Sequence, residues 1–317
     1  MAVTIVLGLL AVGLLVYLGT RHVPETQPGA EPPKKAFTLG PSPQSPGNTT
    51  SSPGPTASPE EPRPVRTARF RVGTFNVLGS SHTVDGNRGY RTGPTRAADA
   101  GRVIATRHLD VVGLQELQRN QVEPLLETAG GYSIYPGLKG PRHGSQNSIA
   151  WRTQEWELVA GNTNQIAYFH GTTMPMPVVK LRQRSTGMTV VFLNFHNPAN
   201  TKQHGKNDRW RDVATRQQIA LLRKVIAAGE NVVVTGDMNA HRRYFCAVTT
   251  TLPMHASNQT EYEPGRCTPP HPIYIDWILG GPTVTFQGHT RDRSALVRRA
   301  TDHPLVYADA KVRSTIE

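Results

Sequence analysis

Apolar and polar positions divide the chain into three stretches before any single residue is considered. Residues 2–19 (AVTIVLGLLAVGLLVYLG) form an unbroken apolar run with no charge and no polar face. Eighteen such residues sit at the short end of what spans a bilayer as a helix, and a buried core helix would normally show a polar side. The run therefore predicts a membrane anchor over residues 1–20. No basic cluster precedes it and Gly19-Thr20-Arg21-His22 follows, which favours an uncleaved anchor over a removed signal peptide. Residues 21–64 show no periodicity, contain twelve prolines and carry almost no large apolar side chains. That segment cannot bury enough surface to offset chain entropy, and it reads as a disordered stalk.

From Ala68 the pattern changes to regular elements. Strands are expected at Phe70–Val77, Asp110–Leu114, Tyr132–Tyr135, Ser148–Trp151 and Trp156–Ala160. Pro177–Arg184 and Thr189–Phe195 flank Ser185-Thr186-Gly187 and read as a hairpin. Further strands are expected at Asn231–Thr235, Ile273–Leu279 and Leu305–Val312. Helical spacing appears over residues 95–108, 117–128 and 209–228, the last through Trp210, Val213, Ile219, Leu222, Val225 and Ile226. Strands outnumber helices and cluster in hairpins, so residues 65–317 form one α+β domain.

Charge sharpens this division. Four of the 35 Lys/Arg and four of the 23 Asp/Glu lie in residues 1–64, so the whole net charge of +12 belongs to the α+β domain. A basic compact domain attracts polyanions, with nucleic acid or an anionic membrane as the candidates. The basic loops hold few aromatics beyond Tyr90, Trp210 and Tyr244, so no base-stacking platform is legible. The two cysteines, Cys246 and Cys267, are too few for a zinc site and are expected to form a disulfide, which requires an oxidising compartment. Arg21, Lys34 and Lys35 argue instead for a cytoplasmic domain by the positive-inside rule. The disulfide is given more weight, and the domain is expected on the extracytoplasmic side of its anchor.

Polar candidates fall where predicted strands end. Asn76, Glu116, His196, Asp237 with Asn239, Asp276, and Asp302 with His303 all occupy such positions. Any one could be a turn former or helix cap; six strand ends together point to one site. Hard oxygen ligands without a Cys/His cluster suit Mg²⁺, with Mn²⁺ or Ca²⁺ as alternatives. Phosphodiester hydrolysis needs such an ion, a group to activate water, and donors for developing charge. The inventory supplies each part.

The series Thr74-Phe75-Asn76-Val77-Leu78, Gly113-Leu114-Gln115-Glu116, Leu193-Asn194-Phe195-His196, Gly236-Asp237-Met238-Asn239, Ile275-Asp276-Trp277-Ile278 and Thr301-Asp302-His303-Pro304 resembles the DNase I-like endonuclease/exonuclease/phosphatase family. The resemblance covers about residues 68–312 and implies a four-layer α/β/β/α sandwich, two packed mixed sheets with helices outside. It implies Glu116 as principal metal ligand, helped by Asn76 and Asp302. His303 would activate or orient water while paired to Asp276; Asp237 and Asn239 would position water and stabilise the phosphorane; His196 would donate to a phosphate oxygen. Where some nucleases of the family carry a carboxylate two residues after the first Asn, this chain has Leu78, which argues for one dominant metal. His82, His143, Arg242 and Arg243 are further candidates for substrate contact, and Lys202, Lys206, Arg209 and Arg211 for a phosphate track.

The fold leaves the substrate open. The charge favours a membrane-tethered, nonspecific nuclease. A phosphatase or a sphingomyelinase-like phospholipase C, acting on a phosphorylated small molecule or lipid, is the alternative. A catalytically silent polyanion-binding module is the reading from another class, and the Asp276/His303 pair argues against it.

Overall fold

The computed structural model describes residues 65–140, 144–259, 265 and 267–315. The apolar run at 2–19, the segment 21–64 and His143 lie outside the described residues. Among the described residues no helix is long and apolar enough to cross a membrane.

Among the described residues the order opens with β1 (Val65–Asn76), then α1 (Gly93–Thr106), β2 (Val111–Gln115), α2 (Arg119–Ala129), β3 (Tyr132–Tyr135) and β4 (Asn147–Arg152). Next come β5 (Trp156–Ala167), β6 (Thr173–Gln183), β7 (Thr189–His196), α3 (Asp208–Ala227), β8 (Val232–Asp237) and α4 (Arg242–Thr249). The remainder is β9 (His255–Ala256), β10 (Asp276–Gly280), β11 (Val284–Asp292), α5 (Ala295–Ala300) and β12 (Leu305–Thr315). Local chemistry accounts for the helix limits. Pro94 opens α1, where a missing N–H costs nothing. A Gln118/Gln121 capping box starts α2, and Gly130 ends it at φ 64°.

Two six-stranded sheets result, in the orders β11-β12-β1-β2-β4-β3 and β5-β6-β7-β8-β10-β9. Their facing sides bury Phe70, Trp156 and Phe192, whose rings meet edge to face at 5.2–5.7 Å between centroids. The helices α1, α2 and α5 cover the outer face of the first sheet through Ala97, Val103, Ile104, Leu125 and Val297. The second sheet is covered by α3 and α4 through Ile219, Leu222, Phe245 and Val248. This is the expected α/β/β/α sandwich.

Four elements were not foreseen: α4, β9, β11 and α5. Each is short or weakly patterned. The edge strand β11 has mostly exposed or half-exposed residues and a register shift between Gln287 and Thr290, so it carries no period-2 signal. Strand β5 also runs beyond its expected end at Ala160, because its central residues Leu158–Gln165 are largely exposed. Cys246 and Cys267 form the expected disulfide, with Cα atoms 4.8 Å apart.

Candidate active site

Strand direction explains why distant residues converge. β1 and β2 run parallel, with Asn76 beside Gln115. β7 and β8 run parallel, with His196 beside Asp237. Strand β10 is antiparallel to β8, so its first residue, Asp276, lies beside Asp237 at the same end. The segment before β12 arrives there as well, since β12 pairs antiparallel with β1 and Val306 sits opposite Thr74.

Beneath this end lies a polar tie between the sheets. Gln115 Nε2 donates to Thr74 Oγ1 at 3.0 Å and to Asn194 Oδ1 at 2.6 Å. Asn194 Nδ2 donates in turn to the carbonyls of Leu114 and Ser148, and Thr235 Oγ1 donates to Asn194 Oδ1. Gly113 permits this contact, because a Cβ there would overlap Thr235 and Asn194. A buried network of this kind, in which Gln115 Nε2 and both polar atoms of Asn194 are bonded, ties the two sheets together in one register.

Above it, one carboxylate oxygen acts as a node. Asp237 Oδ2 accepts from Asn76 Nδ2 at 3.1 Å and lies 3.8 Å from His196 Nε2 and 3.7 Å from His303 Nε2. Its other oxygen accepts the Asn239 N–H, while Asn239 Nδ2 donates to the Asn197 carbonyl. The opposite nitrogen of His303, Nδ1, lies 3.0 Å from Asp276 Oδ1. Burial and the neighbouring Asp276 raise the Asp237 pKa, against the pull of His196 and His303. Burial alone would lower His303, but the bond and charge of Asp276, with Asp237 and Asp302 behind it, raise it to about 10.

Glu116 stands across the cleft. Its oxygens accept from Asn76 Nδ2 at 2.9 Å and Gly79 N at 3.0 Å, and His82 Nε2 lies 3.3 Å away. Burial opposes its charge, yet His82, His196 and Asn76 together hold its pKa far below the carboxylate range. Asn76 presents its amide nitrogen to both carboxylates and spends its oxygen on the Leu78 N–H. In this arrangement its amide bridges Glu116 and Asp237 and sets the two carboxylates relative to each other. Four non-glycine residues of the cleft region take positive φ: Leu78, Glu116, His170 and Asn239, at 55°, 60°, 55° and 46°. Such backbone persists only where its surroundings impose it, and it clusters at functional sites.

The oxygen-rich set of Glu116, Asp237 and Asp302, all lining one cleft of about 800 Å³, fits a hard divalent cation. Asp237, Asp276 and His303 also bring ligand atoms within 4.8 Å of one another. Within that group, Asp276 and His303 engage each other through Oδ1 and Nδ1.

Other candidates are placed differently. Arg242 and Arg243 do not line the cleft. Arg243 pairs with Asp212 across α3 and α4, and Arg242 is exposed at the start of α4. Of the expected phosphate track only Lys202 reaches the cleft wall; Arg211 is buried against the Pro198 carbonyl, and Arg209 lies over the Trp210 ring. Two residues had no sequence signal. Tyr168 lines the cleft beside His196, and burial with the charges of Glu116 and Asp237 keeps its phenol protonated. Arg96, fully buried, donates to the carbonyls of Val77, Gly79 and Ala300 and so ties the cleft's loops together.

Comparison with known proteins agrees with this geometry. The profile of the Endonuclease/Exonuclease/phosphatase family matches residues 73–303. No curated protein matches the chain. Among solved structures, an endonuclease/exonuclease/phosphatase from Bacteroides vulgatus is similar at 18% identity and TM-score 0.62, over 77% of this chain and 99% of that one. TDP2 of D. rerio, complexed with a single-strand DNA product, is similar at 18% identity and TM-score 0.54, over 77% and 99%. The mannosyl-6-phosphatase Bt3783 of Bacteroides thetaiotaomicron is similar at 14% identity and TM-score 0.55, over 76% and 99%. With its two-sheet sandwich, its convergent strand ends and a family match spanning most of the described domain, the chain belongs to the endonuclease/exonuclease/phosphatase family of divalent-metal-dependent phosphoesterases.

Proposed function

We propose that this protein is a nonspecific nuclease, tethered by residues 1–20 and a stalk over 21–64, with its catalytic domain outside the membrane. The observation that carries the substrate is charge: the whole +12 of the chain falls on residues 65–317, the domain that holds the open phosphoesterase cleft. Neutralising several phosphates supplies most sequence-independent affinity for nucleic acid. The tether rests on the apolar run at 2–19, and the placement outside rests on the Cys246–Cys267 disulfide.

In this reading Glu116 and Asp302 would hold a Mg²⁺ ion, with Asn76 orienting Glu116. The ion supplies positive charge to the phosphoryl oxygens when bound. Asp237, raised by burial, is the better base, and it accepts the proton of the attacking water. Water oxygen bonds to phosphorus, the P–O bond to the leaving strand breaks, and the departing oxygen takes up a proton from solvent in the open cleft. His303, held by Asp276, and His196 donate from their Nε2 atoms to the phosphate oxygens. Asn239, fixed at φ 46° by the Asp237 and Asn197 contacts, stabilises the developing charge.

The deciding experiment incubates the full-length chain with plasmid DNA and RNA in Mg²⁺, with EDTA and His303→Ala controls. Sphingomyelin, inositol phosphates and sugar phosphates are run in parallel. Nucleic acid is expected to be degraded. Intact DNA and RNA alongside turnover of a lipid or small phosphate ester would overturn the reading.

A further inference from the structure

A line of four rings leads from His196 along the cleft. His196 meets Tyr168 edge-on at 5.9 Å between centroids, Tyr168 meets Phe169 at 4.4 Å, and Phe169 stacks on His204 at 4.3 Å with planes 20° apart. Tyr168, Phe169 and His204 all line the cleft. These rings come from two separate chain segments, the turn between β5 and β6 and the loop after β7. No contiguous aromatic-basic pattern could reveal them.

Core packing does not account for the outer pair. Phe169 and His204 are half-exposed, and neither belongs to any of the three apolar clusters of the domain. Both are nevertheless held firmly. Gly171, at φ 81°, lies against Trp210 of α3 so closely that a Cβ would come within 2.6 Å of the indole. The loop bearing His204 is gathered by the buried Asn207, whose Nδ2 donates to the carbonyls of Ala199, His204 and Gly205. Fixing apolar rings on a wet wall gives no folding advantage, but it lowers the ordering cost of binding a flat ligand.

The rest of the wall narrows the ligand. Lys202 is the only lysine or arginine among the described lining residues. That is too few for an inositol polyphosphate, and its charge repels the quaternary ammonium of a choline headgroup. One cation beside stacked rings, next to a phosphoesterase centre, matches one nucleotide: a base on the rings and a phosphate by the lysine. We propose that Phe169 and His204 form a nucleobase subsite, on which the base adjoining the scissile phosphate extends the ring stack. This rests on the nuclease reading but is tested apart from it.

The test is calorimetric binding of adenosine 5′-monophosphate and ribose 5-phosphate to the full-length chain with Mg²⁺. Base–aromatic stacking predicts that the nucleotide binds about 10-fold tighter than the sugar phosphate. Phe169→Ala and His204→Ala should each erase most of that preference and leave ribose 5-phosphate binding unchanged, while Phe169→Tyr should retain it. Equal binding of the two ligands by the wild type, or a preference that survives both alanine variants, would overturn the proposal. Oligonucleotide cleavage measured alongside separates the two ideas. A base preference without cleavage keeps the subsite and sinks the nuclease, whereas cleavage without a preference does the reverse.

Discussion

His303 Nδ1 lies 3.0 Å from Asp276 Oδ1, and the far nitrogen of the same ring lies 3.7 Å from Asp237 Oδ2. The imidazole is thus held between two buried carboxylates, which explains why its pKa is raised to about 10 although burial works against it. One nitrogen of the ring is fixed by Asp276 and the other faces Asp237.

This arrangement sets a pH dependence in the metal-free protein. A group whose folded pKa exceeds its unfolded value stabilises the fold fully below the unfolded value, about 6.5 for histidine. That contribution is then lost as pH rises through about 10. Unfolding free energy in EDTA should fall between pH 7 and pH 10 by up to about 1.4 kcal/mol per pH unit from this group. The Asp276→Asn variant should lose most of that slope. NMR titration of the His303 ring should show the pKa itself, and a value near 6.5 would contradict the geometry. Binding of a divalent cation near Asp237 should lower it.

Removing charge from Glu116 should act first on the metal. Glu116→Gln leaves the shape and the Gly79 N–H contact but weakens attraction for a cation. The loss should exceed the ~10–100-fold that removal of an outer partner of a metal ligand costs. Raising Mg²⁺ should restore part of the rate. Activity like that of the wild type at low Mg²⁺ would remove Glu116 from the ligand set.

Arg96 makes a prediction about stability and activity together. Its guanidinium satisfies four main-chain carbonyls, those of Val77, Gly79, Arg91 and Ala300, and the Thr83 hydroxyl, with burial lowering its pKa against the charges of Asp302 and Glu116. Arg96→Met would orphan those acceptors. We expect a loss of about 3 kcal/mol or more by denaturant titration, since each unsatisfied buried group costs about 1–3 kcal/mol. Arg96→Lys should recover little, because three donors on one nitrogen cannot span the same acceptors.

The Cys246–Cys267 bond closes a loop with a sequence separation of 21 residues. Chain entropy puts its contribution at about 3 kcal/mol. The double substitution Cys246→Ala/Cys267→Ala should lower stability by that amount and leave the cleft chemistry intact. Thiol labelling of the full-length chain with and without reductant checks the bond directly.

Much of the domain was legible because its signals are local. The apolar runs Val111–Leu114 and Val232–Val234 mark buried strands by composition alone, and the polar residue after each marks a strand end. Glu116, His196, Asp237, Asp276 and His303 were found in this way. Strands β9 and β11 and helices α4 and α5 were missed because edge strands and helices of six to eight residues carry too little periodicity. Arg242 and Arg243 follow Asn239 closely in sequence, yet α4 turns them toward α3 and solvent, away from the cleft.

What the sequence by itself determined is the chemistry: a hard-ligand phosphoesterase inventory, a basic domain, and an apolar segment and proline-rich stretch ahead of it. What only the tertiary structure decided is geometry between segments far apart in the chain. Parallel pairing of β7 with β8 sets His196 beside Asp237, and antiparallel β10 brings Asp276 to the same end. The Arg96 tie and the ring line from His196 to His204 likewise join segments that share no periodicity. Side-chain period records which face a residue takes within its own element. Which element lies next to it is settled by the packing of two sheets, and that leaves no local trace.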